Sequence, residues 1–105
     1  RGQRAEARAV LRRGVDACPT SWPLLANYAY VLLEHREEAQ AGPLVERALE
    51  AAPMVPVLLS LRGDVAFRER RFEDAFRAYH AAVSQDPRLG HDAYTRLALL
   101  AQRTQ

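Results

Sequence analysis

Three prolines lie 34 residues apart, at Pro19, Pro53 and Pro87. Each proline ends the same set of small and apolar residues, which fall at i, i+3, i+4, i+7 and i+8 and so form one stripe of an α-helix. The three stripes are Ala7, Val10, Leu11, Gly14 and Val15; Ala41, Leu44, Val45, Ala48 and Leu49; and Ala75, Ala78, Tyr79, Ala82 and Val83. This pattern predicts an internal repeat whose units bury their stripes against one another.

A second kind of helix is predicted between these three. Its stripes are Leu25, Tyr28, Ala29 and Leu32; Leu59, Gly63 and Ala66, 34 residues later; and Tyr94, Leu97, Ala98 and Ala101, one residue late. Thr20 and Ser21 precede the first of them, where a hydroxyl group can cap free N–H groups. We call the intervening helices first-type and the proline-terminated helices second-type.

Together these patterns predict six helices, at about 3–17, 22–34, 39–51, 56–69, 72–85 and 91–103. No segment alternates apolar and polar residues as a strand does, so the fold class is all-α. Short linkers make successive helices antiparallel neighbours. We therefore predict one domain over 1–105, an α-solenoid with a second-type helix at 3–19, whole repeats at 22–53 and 56–87, and a first-type helix at 91–103.

The two stripes resemble the motifs of the tetratricopeptide-repeat family, W-x-x-L-G-x-x-Y and A-x-x-x-F-x-x-A-x-x-x-x-P. The second motif stands here as ARAVLRRGVDACP, AGPLVERALEAAP and AFRAYHAAVSQDP, and the first as LANYAYVL, LSLRGDVA and YTRLALLA. The resemblance implies a right-handed superhelix whose first-type helices line a concave groove. It also implies a protein–protein interaction module that binds a partner peptide or helix in that groove and acts as an adaptor or scaffold in a larger assembly.

The resemblance assigns ten residues to this groove. They are Asn27, Tyr30, Leu33 and Glu34; Ser60, Asp64, Phe67 and Arg68; and Arg96 and Leu99. An apolar and aromatic centre with charges of both signs favours a segment that docks through a few side-chain anchors. The alternative for Tyr30 and Phe67 is that they only pack between adjacent helices.

Some members of the family clamp the acidic C-terminus of heat-shock chaperones with Lys, Asn and Arg side chains. The corresponding residues here are Ala26, Tyr30, Leu61, Asp92 and Arg96. Arg96 alone fits a carboxylate, and Asp92 would repel one. We therefore expect no chaperone carboxylate clamp.

Two places depart from the family pattern within the turns and the third helix. Arg36 and Arg70 stand where a sharp turn favours glycine, and a positive φ there would cost about 1–2 kcal/mol. We expect the turns to relax instead. Gly42 and Pro43 fall early in the third helix, which is expected to begin late or to kink there.

Arg62 occupies a position where Tyr28 and Leu97 predict an apolar side chain. Two alternatives remain open. Either the arginine extends its charged end to solvent along an apolar stem, or the helix is rotated so that Leu58, Leu61 and Val65 face the core.

Arginine accounts for all of the basic residues, 15 in number, and the net charge is only +2. Two groups could contact phosphates, Arg4, Arg8 and Arg12 on one helix and Arg68, Arg70, Arg71 and Arg77 further along. Acidic residues interleave with both groups, and neither contains an aromatic pair for stacking. Nucleic acid is therefore not the expected partner.

Catalysis and cofactor binding are not expected either. His35, His80 and His91 do not pair at i, i+4, no phosphate-binding glycine loop occurs, and the single cysteine, Cys18, is expected to be a half-buried residue near a helix end. No apolar run approaches the length of a membrane helix. The sequence lacks an initiating Met, which suggests a fragment of a longer protein, and it does not define a compartment beyond the cytoplasm as a default.

Self-assembly is the second functional hypothesis. The outermost predicted helices each lack the neighbour that the repeat would give them. Their apolar residues, Val10 and Leu11 at one end and Leu99 and Leu100 at the other, could pack against another copy of the chain.

Overall fold

A computed structural model describes residues 2–89 of the chain together with Thr95, Ala98, Leu99 and Gln102. The described part contains five α-helices and no strand. They are α1 (Gly2–Ala17), α2 (Trp22–Glu34), α3 (Glu38–Ala51), α4 (Pro56–Arg68) and α5 (Phe72–Gln85), followed by a 3-10 turn at Pro87–Leu89. The all-α prediction is confirmed and each helix bound lies within one residue of its prediction. The predicted sixth helix, 91–103, falls outside the described residues apart from those four.

The chain divides into two compact units, Arg1–Pro53 and Met54–Gln105. The boundary directly follows the second of the three repeat prolines. In the first unit α2 packs against both α1 and α3, and in the second unit α4 packs against α5. Each unit therefore contains one complete pair of a first-type and a second-type helix.

Prolines define the start of both first-type helices. Pro23 lies in the first turn of α2 and Pro56 begins α4, where a missing N–H group costs nothing. Ser21 occupies the N-cap position of α2, as predicted, but its hydroxyl makes no capping hydrogen bond. Instead the Ser21 carbonyl accepts the Leu25 N–H at 3.0 Å.

The stripe of α3 forms the core of the first unit. All five of its members, Ala41, Leu44, Val45, Ala48 and Leu49, are buried. On α2, Leu25, Ala29 and Leu32 are buried and Tyr28 is half-buried. The predicted pairing of a first-type with a second-type stripe is thus confirmed in this unit.

In the second unit the same pairing is built around Tyr79. Ala75, Ala78 and Ala82 of α5 are buried with it, and the Tyr79 hydroxyl donates a hydrogen bond to Asp64 Oδ1 at 2.6 Å. Gly63 of α4 lies directly over the ring, so closely that a Cβ atom at residue 63 would lie 2.5 Å from Tyr79 Cδ1 and 2.9 Å from Cζ. The glycine is what lets α4 approach a large buried aromatic residue.

The first helix is held differently from α3 and α5. On α1, Val15 is buried, but Ala7 and Val10 are exposed and Leu11 is only half-buried. Arg8 Nη2 donates to Glu37 Oε2 at 2.6 Å and thereby ties α1 to the turn after α2. The predicted α1 stripe is therefore partly buried: Val15 is buried, Leu11 and Gly14 are half-buried, and Ala7 and Val10 are exposed.

The turns that end α2 and α4 do not relax, so that expectation is wrong. Arg36 has φ 61° and Arg70 has φ 62°. In the first turn the Glu37 N–H donates to the Leu32 carbonyl at 2.8 Å and the Arg36 N–H to the Leu33 carbonyl at 3.0 Å, which is the Schellman pair of bonds. The second turn has the same pair, to Ala66 and Phe67. These bonds require a left-handed residue, and they hold arginine in a conformation that suits glycine.

Substitution by glycine should therefore stabilise both turns. We expect Arg36→Gly and Arg70→Gly each to raise the free energy of unfolding by about 0.5–1 kcal/mol, because relief of the left-handed strain exceeds the added freedom of the unfolded chain. Urea unfolding followed by circular dichroism measures this. Arg12→Gly, in the exposed interior of α1, is the matched control and should lose about 1 kcal/mol. Equal losses at all three positions would contradict the strain argument.

The structure bears on three further expectations. Arg62 is exposed, and Leu58, Leu61 and Val65 are buried, as the rotated-helix alternative predicts. The original stripe of Leu59, Gly63 and Ala66 is buried as well, so the burial pattern fits both alternatives. The third helix begins at Glu38 and contains Pro43 in its second turn, so the expectation of a late start is wrong. Cys18 is exposed rather than half-buried, because it follows the last residue of α1.

Candidate partner-binding surfaces

The α2 surface consists of Asn27, Tyr30 and Glu34, which share one face of the helix and are all exposed. Tyr30 is 55% exposed, which is high for so large a ring. Leu33 was predicted for the same surface but is only 3% exposed, because it turns into the core of the first unit. The first unit thus presents an aromatic residue between an amide and a carboxylate.

The α4 surface consists of Ser60, Asp64, Phe67 and Arg68 in the second unit. Arg68 is exposed and the other three are half-buried. Asp64 accepts the Tyr79 hydrogen bond, and the Phe67 ring meets Phe72 edge-on with centroids 5.8 Å apart. Phe67 and Asp64 therefore hold α4 against α5, and a partner-binding role for Phe67 stays a prediction.

The last two predicted groove residues belong to the C-terminal segment. Arg96 lies outside the described residues, and Leu99 is 47% exposed. A partner-binding role for any of the ten residues stays a prediction.

Local ion pairs neutralise part of both arginine groups. Arg71 donates to Glu69 Oε1 at 2.6 Å and to Asp74 Oδ2 at 3.1 Å, and the hydrogen bond to Glu69 is the main reason that the pKa of Arg71 is raised. Further along, the hydrogen bond from Arg88 lowers the pKa of the Asp86 carboxyl group. With Arg8 bound to Glu37, neither group is a continuous band of free positive charge.

Two surface features were not predicted from the sequence. Phe76 is 51% exposed and stacks on His80, with ring centroids 6.2 Å apart and planes 6° from parallel. Phe76 lies next to Ala75 and outside the repeated stripe. The equivalent positions in the other two repeats are Gly42 and Arg8, so an aromatic residue here departs from the repeat and could have been identified from the sequence. The other feature is an open depression between α1 and α2, lined by Ala5, Arg8, Ala9, Arg12, Arg13, Asp16 and Tyr28.

Within the described residues, no three His, Cys, Asp or Glu side chains come together as a metal site. The same residues contain no helix with the length and hydropathy needed to span a membrane.

No known family's sequence profile matches the chain, and neither does any curated protein. Solved structures do match. The first tetratricopeptide-repeat domain of Spaghetti (RPAP3), bound to the HSP90 peptide SRMEEVD, superposes with a TM-score of 0.91 at 23% identity, covering 98% of this chain and 81% of that one. The first such domain of human RPAP3 gives 0.88 at 24% identity, covering 96% and 79%. MamA from Desulfovibrio magneticus RS-1 gives 0.74 at 20% identity, covering 99% and 69%.

These likenesses, together with the buried stripes of α3 and α5, define the class of fold. The chain has a tetratricopeptide-repeat fold. The resemblance seen in the sequence motifs is thereby confirmed at the level of fold.

Proposed function

We propose that this chain is a protein-interaction module, which binds a segment of a partner protein through the exposed faces of its first-type helices. The observation that carries the proposal is Tyr30, a large aromatic side chain that is 55% exposed on α2. Aromatic residues of this kind are enriched among the anchors of protein interfaces. The chain acts by binding rather than by catalysis.

Tyr30 has the right surroundings for an anchor. Asn27 precedes it by about one turn and Glu34 follows by about one turn, and both are exposed. A partner side chain could pack on the ring while the amide and the carboxylate form hydrogen bonds with the partner's backbone or basic groups. The core beneath, formed by residues such as Leu33 and Ala29, supplies a rigid base.

In the second unit the accessible contributor is Arg68, which is exposed beside the half-buried Phe67. Asp64 and Phe67 are already committed to Tyr79 and Phe72. For α4, considered by itself, the proposal is that exposed Arg68 makes a charge contact with a partner protein.

The ligand differs from that of the Spaghetti domain. That domain is bound to the peptide SRMEEVD, whose end is acidic. Here two of the positions that would hold a clamp are Ala26 and Leu61, which are apolar and buried. We propose that the partner segment is recognised by apolar and aromatic anchors rather than by a terminal carboxylate.

The experiment is a selection of peptides from a random display library against the 105-residue chain, followed by affinity measurements on the selected peptides. Tyr30→Ala should weaken their binding about 10- to 100-fold, the usual loss for an aromatic anchor. Phe76→Ala is the matched control, since Phe76 is equally exposed but lies on a second-type helix. The peptide SRMEEVD should not bind detectably.

Two results would contradict the proposal. One is that Phe76→Ala, and not Tyr30→Ala, abolishes binding, which would move the site to the second-type helices. The other is tight binding of SRMEEVD, which would restore a carboxylate clamp. Circular dichroism of each variant confirms that helicity is unchanged.

A further inference from the structure

The open depression between α1 and α2 concentrates arginine side chains of the first unit. Arg8, Arg12 and Arg13 line it from α1 together with Asp16, and Tyr28 lines it from α2. Its volume is about 570 Å³, which lies in the range of sites that bind small molecules. The lining thus combines three guanidinium groups, one carboxylate and one phenol.

The α1 side of the depression lies off the buried stripe. On α3 the equivalent positions are also exposed, even though α2 packs against that helix. They are Glu46, Arg47 and Glu50, in place of Arg12, Arg13 and Asp16. A neighbouring first-type helix therefore leaves this face open. Since two of the three equivalents are carboxylates, the fold does not require basic side chains here.

The positive charge in the depression is only partly neutralised. Arg12 and Arg13 form no ion pair within the described part of the chain. Arg8 lies one turn before Arg12 and is bound to Glu37 at 2.6 Å, but a guanidinium has five N–H donors, so donors remain for a ligand. Like charges one turn apart on a helix repel each other. An anion in the depression would relieve that repulsion.

Tyr28 adds a hydrogen-bond donor on the opposite side of the depression. Its hydroxyl makes no hydrogen bond within the described residues, whereas the Tyr79 hydroxyl is held by Asp64. A guanidinium presents its donors as a planar fork, which matches the oxygens of carboxylates and phosphates. Several such forks and a hydroxyl suit the three terminal oxygens and nearly two charges of a phosphate monoester better than the two oxygens and single charge of a carboxylate.

We propose that this depression binds a phosphate monoester, whose oxygens accept hydrogen bonds from Arg12, Arg13 and the Tyr28 hydroxyl while Arg8 adds positive charge. The same chemistry occurs in inorganic phosphate and in a phosphorylated side chain, and the experiment distinguishes these two sources. The arginine contacts are exposed to solvent. We therefore expect a Kd of about 1 mM for inorganic phosphate, which weakens as the ionic strength rises.

Titration of the 105-residue chain with inorganic phosphate, followed by amide NMR shifts at constant ionic strength, tests the proposal. The shifts should saturate and should be largest near Arg12, Arg13 and Tyr28. Arg12→Gln and Arg13→Gln should each weaken binding about 5-fold. Asp16→Asn should strengthen it about 2-fold, because it removes a carboxylate that repels the anion.

Arg77→Gln is the matched control. Arg77 is an exposed arginine on α5 that forms no ion pair within the described residues, so its removal lowers the net charge equally without touching the depression. It should leave phosphate binding unchanged. Weakening equal to that of Arg12→Gln would overturn the proposal, because it would show attraction by net charge alone.

Three further outcomes would overturn it. One is a failure to saturate by about 50 mM phosphate. Another is acetate binding as tightly as phosphate, and the third is tighter binding by a short single-stranded RNA without terminal phosphates, whose phosphodiesters carry one charge each. An alanine tripeptide with a central phosphoserine identifies the source. Binding about 10-fold tighter than inorganic phosphate supports the site and indicates a phosphorylated partner, whereas equal binding supports it as a site for a small anion.

This site is separate from the proposed peptide binding, because Tyr30 does not line the depression. Tyr30→Ala should leave phosphate affinity unchanged, and Arg12→Gln should leave the affinity for selected peptides unchanged. Circular dichroism confirms that each variant is folded. Arg13→Gln repeats the test at a second position, so a folding defect at one arginine is not mistaken for a lost contact.

Discussion

Replacing Gly63 by alanine is expected to lower the free energy of unfolding by about 2–3 kcal/mol, although alanine is the better helix former. The added methyl group would lie 2.5 Å from Tyr79 Cδ1 and closer still to Cε1. Tyr79 is buried and its hydroxyl is held by Asp64 at 2.6 Å, so the ring cannot move aside without breaking that bond or opening the pair of helices. Overpacking of this kind exceeds the gain in helix propensity of about 1 kcal/mol.

Gly14→Ala provides the control within the same fold. A Cβ atom there would meet the two methyl groups of Leu24 at 3.5 Å, which is ordinary van der Waals contact. We expect this variant to be more stable than the wild type by about 0.5–1 kcal/mol, since only the propensity term remains. Urea unfolding of both variants measures the difference. If Gly63→Ala also raised the free energy of unfolding, α4 could not lie as close to Tyr79 as the structure shows.

Pro43→Ala is expected to raise the free energy of unfolding by about 2 kcal/mol. Pro43 is the sixth residue of α3, where its ring crowds the carbonyl of Ala39 and supplies no N–H for that carbonyl to accept. Its side chain is exposed, so the substitution removes little packing. The greater freedom of alanine in the unfolded chain offsets part of the gain, which is why the expected value is below the full cost of about 3 kcal/mol for an interior proline.

The matched control is Pro23→Ala, an exposed proline in the first turn of α2. No helical hydrogen bond is missing there, so the variant should gain nothing and lose up to about 1 kcal/mol through the unfolded state. Thermal and urea unfolding of both variants provide the comparison. A neutral or destabilised Pro43→Ala chain would mean that the proline ring makes a contact that the helix depends on.

The helices and their pairing were predictable because their signals are local and repeated. Five-point stripes and prolines such as Pro53 set the helix bounds to within one residue, since apolar periodicity and a missing N–H act over a few positions. The repetition supplied the tertiary contact as well. Three copies of one pattern imply the same neighbour, and the burial of the Val45 and Tyr79 stripes confirms it for two of them.

The candidate site was only partly predictable. Tyr30 lies on the surface as expected, but Leu33 and Phe67 were assigned to the same kind of surface and are buried and half-buried. All three positions fit the helical period that was used to predict the surface. That period does not show how far a helix is rotated about its own axis, so it does not show which residues face the core. In the second unit that rotation depends on Gly63, which brings α4 down onto Tyr79 and carries Phe67 toward Phe72.

By itself, the sequence determined that the chain forms helices in alternating types, where those helices begin and end, and which stripes meet. The tertiary structure alone decided the conformation of Arg36 and Arg70, the exposure of Arg62 and the partial exposure of the α1 stripe. The physical reason is the range of the forces involved. Helix propensity and proline geometry act within one turn, whereas left-handed strain at a turn is accepted only because two backbone hydrogen bonds and the packing of the flanking helices outweigh it.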